Sequence, residues 1–127
     1  MIKIIKKIIK KERIYISGPV TGLDPYYVKG LFTIAENKLK NEGLRPVSPI
    51  RYIAIDREWR QAMGIALSLL ISCEGIYMLP GWEKSEGATC ELFYALITGK
   101  DIYFENSDPQ CISFNKLIEI ANKYYNN

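Results

Sequence analysis

Four short runs of β-branched and aromatic residues alternate with longer stretches whose apolar side chains recur every three to four positions. Arg13–Ser17 (RIYIS) is the first run and stops at Gly18-Pro19, as a strand entering a turn does. Over 25–42, Leu31, Ile34, Ala35, Lys38 and Leu39 recur at helical spacing. Pro25 suits the first turn of that helix, and Gly43 suits the position just past its end. Leu44–Val47 is a second strand, closed by Ser48-Pro49. A second helix over 57–73 carries Trp59, Met63, Ala66, Leu67, Leu70 and Ile71 along one side. Gly75–Leu79 is apolar throughout and stops at Pro80-Gly81, as a buried parallel strand does. Ser85 can cap a third helix that Gly99 ends; Asp101–Phe104 is a fourth strand and Phe114–Tyr125 a last helix.

This alternation predicts an α/β protein with a parallel sheet covered on both faces. Ligands of such sheets bind outside the carboxyl ends of the strands. Functional residues are therefore expected just after residues 17, 47, 79 and 104.

Composition narrows the chemistry. The 127 residues suffice for one domain with its own core, and 48% hydrophobic with 24% charged residues is ordinary globular usage. No apolar run is long enough to span a bilayer. There is no histidine, which excludes His-based triads, dyads and zinc sites. Cys73, Cys90 and Cys111 are widely spaced and odd in number, which fits a reducing cytoplasm and supports neither a disulfide framework nor a thiolate metal site. Any catalysis must use carboxylates, hydroxyls and backbone dipoles, and no metal or organic cofactor is implied.

The formal charge of +3 is unevenly placed. Residues 1–13 hold six of the 17 basic residues and one of the 14 acids, leaving 11 basic and 13 acidic residues in the rest. The body is thus not a basic nucleic-acid binder. Residues 1–12 are set apart as a basic extension and 13–127 as the domain. Within 1–11, Ile2, Ile5, Ile8 and Ile9 share one helical side opposite the lysines, a pattern found on anionic membrane surfaces. A solvated extension, or a helix packed on a partner chain, is the plainer reading; membrane or nucleic-acid contact by this tail stays open beside it. The tail is not a secretory signal, because it lacks a continuous apolar region and a small-residue cleavage site.

Two strand ends carry unusual sequence. Ser17-Gly18-Pro19-Val20-Thr21-Gly22 follows the first strand: glycine permits close approach of a ligand, and the Ser17 and Thr21 hydroxyls can bond sugar or phosphate oxygens. A plain strand-to-helix turn explains the same residues. The second loop, Leu79 to Glu91, leads into a helix whose N-terminal amides can hold an anion beside Ser85 and Gly87. Glu91 lies at the edge of that helix's apolar face, with Gly87, Ala88 and Ala95 a turn away leaving room for a ligand. A half-buried carboxylate there is a candidate nucleophile or base; a surface glutamate favoured by the helix dipole is the alternative. Trp82 either walls a pocket or packs its loop onto the core. Tyr15, Tyr77 and Tyr103 fall within strands and are read as core.

Taken together, Tyr15-Ile16-Ser17-Gly18-Pro19 with Thr21-Gly22, then Trp59, Met63 and Cys73, then Leu79-Pro80-Gly81-Trp82-Glu83 with Ser85-x-Gly87-Ala88-x-x-Glu91, carry a resemblance. Over Ile14–Phe104 the chain resembles small, largely phage- and prophage-borne proteins related to nucleoside 2-deoxyribosyltransferases and deoxynucleoside monophosphate N-glycosidases. The resemblance implies a flavodoxin-like (Rossmann-like) three-layer sandwich with a four- to five-stranded parallel sheet. It also implies a nucleoside or nucleotide pocket and a homodimer or higher homo-oligomer whose neighbouring subunits help close that pocket. By resemblance Glu91 is the glutamate that attacks C1′ of deoxyribose and expels the base. Ser17, Gly18, Pro19 and Thr21, with Ser85, Gly87 and Ala88, match the parts that hold sugar and 5′-phosphate, and Trp82 is placed to contact the base.

Three positions depart from the family pattern. The aspartate that helps protonate the leaving base is Ala66 by spacing, the arginine after the methionine is Gly64, and Glu86 precedes Gly87 where many members carry arginine. Asp56, Glu58 and Glu83 are candidate substitutes for the missing acid. The residues thus leave an N-glycosidase or deoxyribosyltransferase beside a non-catalytic nucleotide-binding module that sequesters or senses its ligand. A structural role led by the tail is a third reading.

Overall fold

In a computed structural model, the structure describes residues 11–54 and 56–105, together with Asn122. The N-terminal amphipathic segment up to residue 10 and the helix expected at Phe114–Tyr125 lie outside the described residues. Four strands, β1 (Arg13–Ser17), β2 (Arg45–Val47), β3 (Gly75–Met78) and β4 (Asp101–Phe104), form one all-parallel sheet in the order β2-β1-β3-β4. Three helices connect them: α1 (Pro25–Asn41), α2 (Trp59–Ile71) and α3 (Glu86–Ile97). The architecture is the flavodoxin-like α/β fold expected from the sequence. The chain leaves β1 for β2 on one side, then crosses to β3 on the other. The strand order therefore reverses between β1 and β3, where a crevice opens in such sheets.

Local sequence sets each boundary. Asp24 caps α1 by accepting from the Tyr26 amide at 2.9 Å, and Pro25 occupies the first turn, where its missing N–H costs nothing. Glu58 caps α2 by accepting from the Arg60 and Gln61 amides, so this helix begins at Trp59, two residues later than the sequence suggests. Ser85 caps α3 through the Ala88 amide at 3.1 Å.

Strand alternation sorts the core into two layers. Ile14 and Ile16 of β1 face α1, against Val28, Phe32, Ala35 and Leu39. Tyr15 faces the opposite layer, with Leu70, Ile76, Met78, Trp82 and Leu92. The buried stripe of α1 runs through residues 28, 32, 35 and 39, so Ile34 turns away and is 63% exposed. Phe32, the largest apolar side chain on α1 and fully buried, fixes that rotation; Ile34 lies about 100° round the helix from Ala35. On α2 only Ala66 and Leu70 are buried, while Trp59 and Ile71 stand exposed at its two ends. Among the described residues, no helix is long and apolar enough to cross a membrane.

Packing between strands is tight at Gly75, where β3 begins. A Cβ there would lie 2.9 Å from Ile14 Cδ1 and 3.1 Å from the Asp101 carbonyl oxygen. A backbone carbonyl of a neighbouring strand cannot yield as a side chain can. Gly75→Ala is therefore expected to destabilise the fold by about 1–3 kcal/mol, as overpacking does, read as a lowered midpoint in chemical denaturation.

Candidate functional site

A cleft of about 1140 Å³ opens at the carboxyl ends of the strands. Its walls come from the loop after β1, one side of α1, the segment after β2, the start of α2 and the first turns of α3. Gly18, Pro19 and Thr21 line it from one side, and Ser85, Gly87 and Ala88 from the other. The structure thus brings together the two loops that the sequence singles out.

Glu91 projects from the second turn of α3 into the base of this cleft and is only 6% exposed. Its carboxylate is held from β1. The Tyr15 hydroxyl donates to Oε2, and the Ser17 hydroxyl donates to Oε1 at 2.6 Å. Period-two alternation puts Tyr15 and Ser17 on the same face of β1, the face that α3 covers. Two residues of one strand therefore grip both oxygens of one carboxylate and fix its rotamer. Ser17 is fully buried and meets the cleft through Glu91. Tyr15, read from the sequence as core, is core by burial and a site residue by its hydroxyl.

Burial pushes the Glu91 carboxyl up to about 7, against the opposing pull of the Ser17 and Tyr15 hydrogen bonds. Burial, and then the neighbouring Glu91 charge, push the Tyr15 phenol well above its ordinary value, so it remains a donor at physiological pH. The result is a carboxylate poised to ionise near neutrality within two fixed hydroxyl donors.

The two glycines serve packing as well as access. A Cβ at Gly18 would lie 2.8 Å from Leu79 Cβ, so the loop after β1 can pass the end of β3 only without a side chain there. A Cβ at Gly87 would lie 3.3 Å from Met63 Sδ, so α3 enters close beside α2. The Ser85 hydroxyl is engaged in capping α3.

Other expected residues are placed elsewhere. Trp82 is buried in the core, with its ring centroid 5.8 Å from that of Phe104, and does not line the cleft. Its loop turns inward at Gly81, whose φ of 87° favours glycine. Asp56, Glu58 and Glu83 are not among the lining residues, and Glu58 is occupied as the cap of α2. Ala66 does line the cleft, so its wall presents a methyl group where the resemblance places an acid.

One feature escaped the sequence reading. Glu36 of α1 is 4% exposed and lines the cleft, where the Arg51 Nε donates to both its oxygens at 3.0 Å and Nη2 lies 2.9 Å from Oε2. The available signal was an acidic residue flanking the buried stripe of α1, which requires a cationic partner. Among the described residues, no group of three or more His, Cys, Asp or Glu side chains is placed to hold a metal ion.

Residues 12–104 match the family DUF4406, described as a domain of unknown function, and the chain belongs to that family. No curated protein matches the sequence. A solved structure of a 2-desoxiribosyltransferase from Leishmania mexicana is similar, with a TM-score of 0.58 and 22% sequence identity over 73% of this chain and 63% of that one. At that identity the likeness is one of fold, and this chain spans less than two thirds of that enzyme's length.

The raised carboxyl makes a stability prediction. Glu91 has an ordinary value of 4.5 and reaches about 7 when folded, so between these values the folded chain binds more protons than the unfolded one. Stability contributed by the protonated group is therefore lost as the pH rises through that window, by on the order of 3 kcal/mol in total. Glu91→Gln keeps the shape without the charge. It is expected to melt close to wild type at about pH 4 and clearly above it at about pH 8, as read by circular dichroism.

Proposed function

We propose that this DUF4406 protein binds a deoxynucleoside or its 5′-monophosphate and cleaves or transfers its N-glycosidic bond, with Glu91 as the nucleophile. One observation carries the reading: a buried carboxylate at the base of the cleft, gripped by Tyr15 and Ser17, with its ionisation shifted to about 7. The fold likeness to a 2-desoxiribosyltransferase supports it.

In this mechanism a Glu91 oxygen attacks C1′ of the sugar. The C1′–O bond forms as the C1′–N bond breaks, and the base leaves with the bonding electron pair and takes up a proton. Water or a second base then attacks C1′ and loses a proton, and the C1′–O bond to Glu91 breaks to restore the carboxylate. Two displacements give net retention, as in retaining glycosidases. Water as acceptor makes the protein a hydrolase, and a second base makes it a transferase. Tyr15 and Ser17 act as positioning residues that aim the attacking oxygen. Gly18, Pro19 and Thr21, with Ser85, Gly87 and Ala88, shape the sugar and phosphate end. Trp82 takes no part.

Ala66 favours a second reading, a nucleotide-binding module without turnover, because that wall of the cleft offers no proton to a departing base. Loss of a general acid costs about 10²–10⁴-fold in rate.

Chromatography of reactions with deoxynucleosides and their 5′-monophosphates, with and without a second free base, separates the readings. Glu91-dependent release supports the enzyme, and Glu91→Ala is expected to lower it by at least about 10³-fold. Saturable binding without release supports the module. For the enzyme, the rate should rise with pH through about 7 as Glu91 ionises. Tyr15→Phe removes a hydrogen bond that lowers that value, so its pH–rate limb should move to higher pH.

A further inference from the structure

The rim of the cleft holds aromatic and cationic side chains that the reading above leaves unused. Tyr26, in the first turn of α1, is 86% exposed, and Trp59, at the start of α2, is 45% exposed; both line the cleft. Lys29 lies three residues beyond Tyr26 on the same side of α1, and Arg57 lies two residues before Trp59; both line the cleft as well. Each lip therefore carries an exposed ring with a cation close by in the chain. Such rings add little to the core, whereas aromatic rings beside cations are what a stacked base and its phosphate require.

Arg51 adds a fixed element to this rim. Burying Glu36 is unfavourable unless it is paired. The pair with Glu36 uses Nε and Nη2 of Arg51. The Arg51 side chain is 61% exposed and lines the cleft, so a guanidinium of set orientation faces the ligand space. That geometry suits a phosphate. Arg51 follows β2 and pairs with Glu36 of α1, whereas Glu91 sits on α3, which covers the other face of the sheet. Glu86, the remaining carboxylate in the lining, also belongs to α3. The cleft, at about 1140 Å³, exceeds the roughly 300–1,000 Å³ of ordinary small-molecule pockets.

We infer that the cleft takes a dinucleotide, a deoxynucleotide joined through phosphate to a second nucleotide, with the linking phosphate on Arg51 and the second base on the exposed ring of Tyr26. Lys29 and Arg57 flank the same path. This deepens the proposed function and rests on its placing of the first nucleotide at Glu91.

The test uses the full chain carrying Glu91→Gln, which blocks turnover. It is titrated by calorimetry with a deoxynucleoside 5′-monophosphate and with a 5′-phosphorylated deoxydinucleotide. The dinucleotide is expected to bind at least about tenfold more tightly, the gain of one stacked base, and to lose more affinity on added salt. Arg51→Gln and Tyr26→Ala should each reduce that advantage and leave mononucleotide binding unchanged. Tyr26 is so exposed that its removal cannot unfold the chain, which keeps the test valid if Arg51→Gln misfolds. Equal affinity for the two ligands overturns the inference, as does equal weakening of both by Arg51→Gln, which would make the Glu36–Arg51 pair a staple of the fold. Failure of both ligands to bind overturns the nucleotide reading itself.

Discussion

The grip of two β1 hydroxyls on the Glu91 carboxylate joins the central strand to the helix that covers it. A buried carboxylate without donors would be costly, and hydroxyls without an acceptor would be costly as well. Each side therefore makes the other tolerable. The contact also fixes the rotation of α3, since Ala88, Leu92 and Ala95 pack inward only when Glu91 reaches β1. Packing of the main core layer and geometry of the candidate site are thus one constraint.

The cleft follows from topology rather than from any single residue. Reversal of strand order between β1 and β3 separates the connections that leave those strands, and the loops after them wall the gap. α1 lies on one face of the sheet and α2 and α3 on the other, so the cleft gathers side chains from both layers. This is how Glu91 on α3 comes to share a space with the Arg51 guanidinium, which follows β2 and pairs with Glu36 of α1.

Much of the fold was legible because its signals are local. Short β-branched runs ending at Gly-Pro or Pro-Gly, with Pro25 in a first turn and a cap at Ser85, mark the described elements within two residues or so of where they lie. Glu91 with Gly87 and Ser85 was legible because spacing along one helix sets which side chains share a side. What was missed depends on long-range contacts. Tyr15 reads as an apolar strand residue until α3 brings an acid to its hydroxyl, 76 residues along the chain. Trp82 could have faced either way, and its packing in the core beside Phe104 decides it. Ile34 fits the helical period nearly as well as Phe32, and the larger ring takes the core. Arg51 and Glu36 belong to different elements, so no single periodicity reveals their pairing.

The contact between Gly18 and Leu79 has a mechanical consequence. The loop leaving β1 and the end of β3 touch with no space for even a methyl group, and the Leu79 amide also donates to the Ser17 carbonyl at 2.8 Å. These two segments cannot part without breaking the sheet between them. The base of the cleft is consequently a rigid anvil, and any adjustment to ligands of different size falls to the outer ends of α1 and α2. Divergence among proteins sharing this frame is then cheapest at those outer ends, where a changed side chain alters what is held without disturbing the carboxylate beneath.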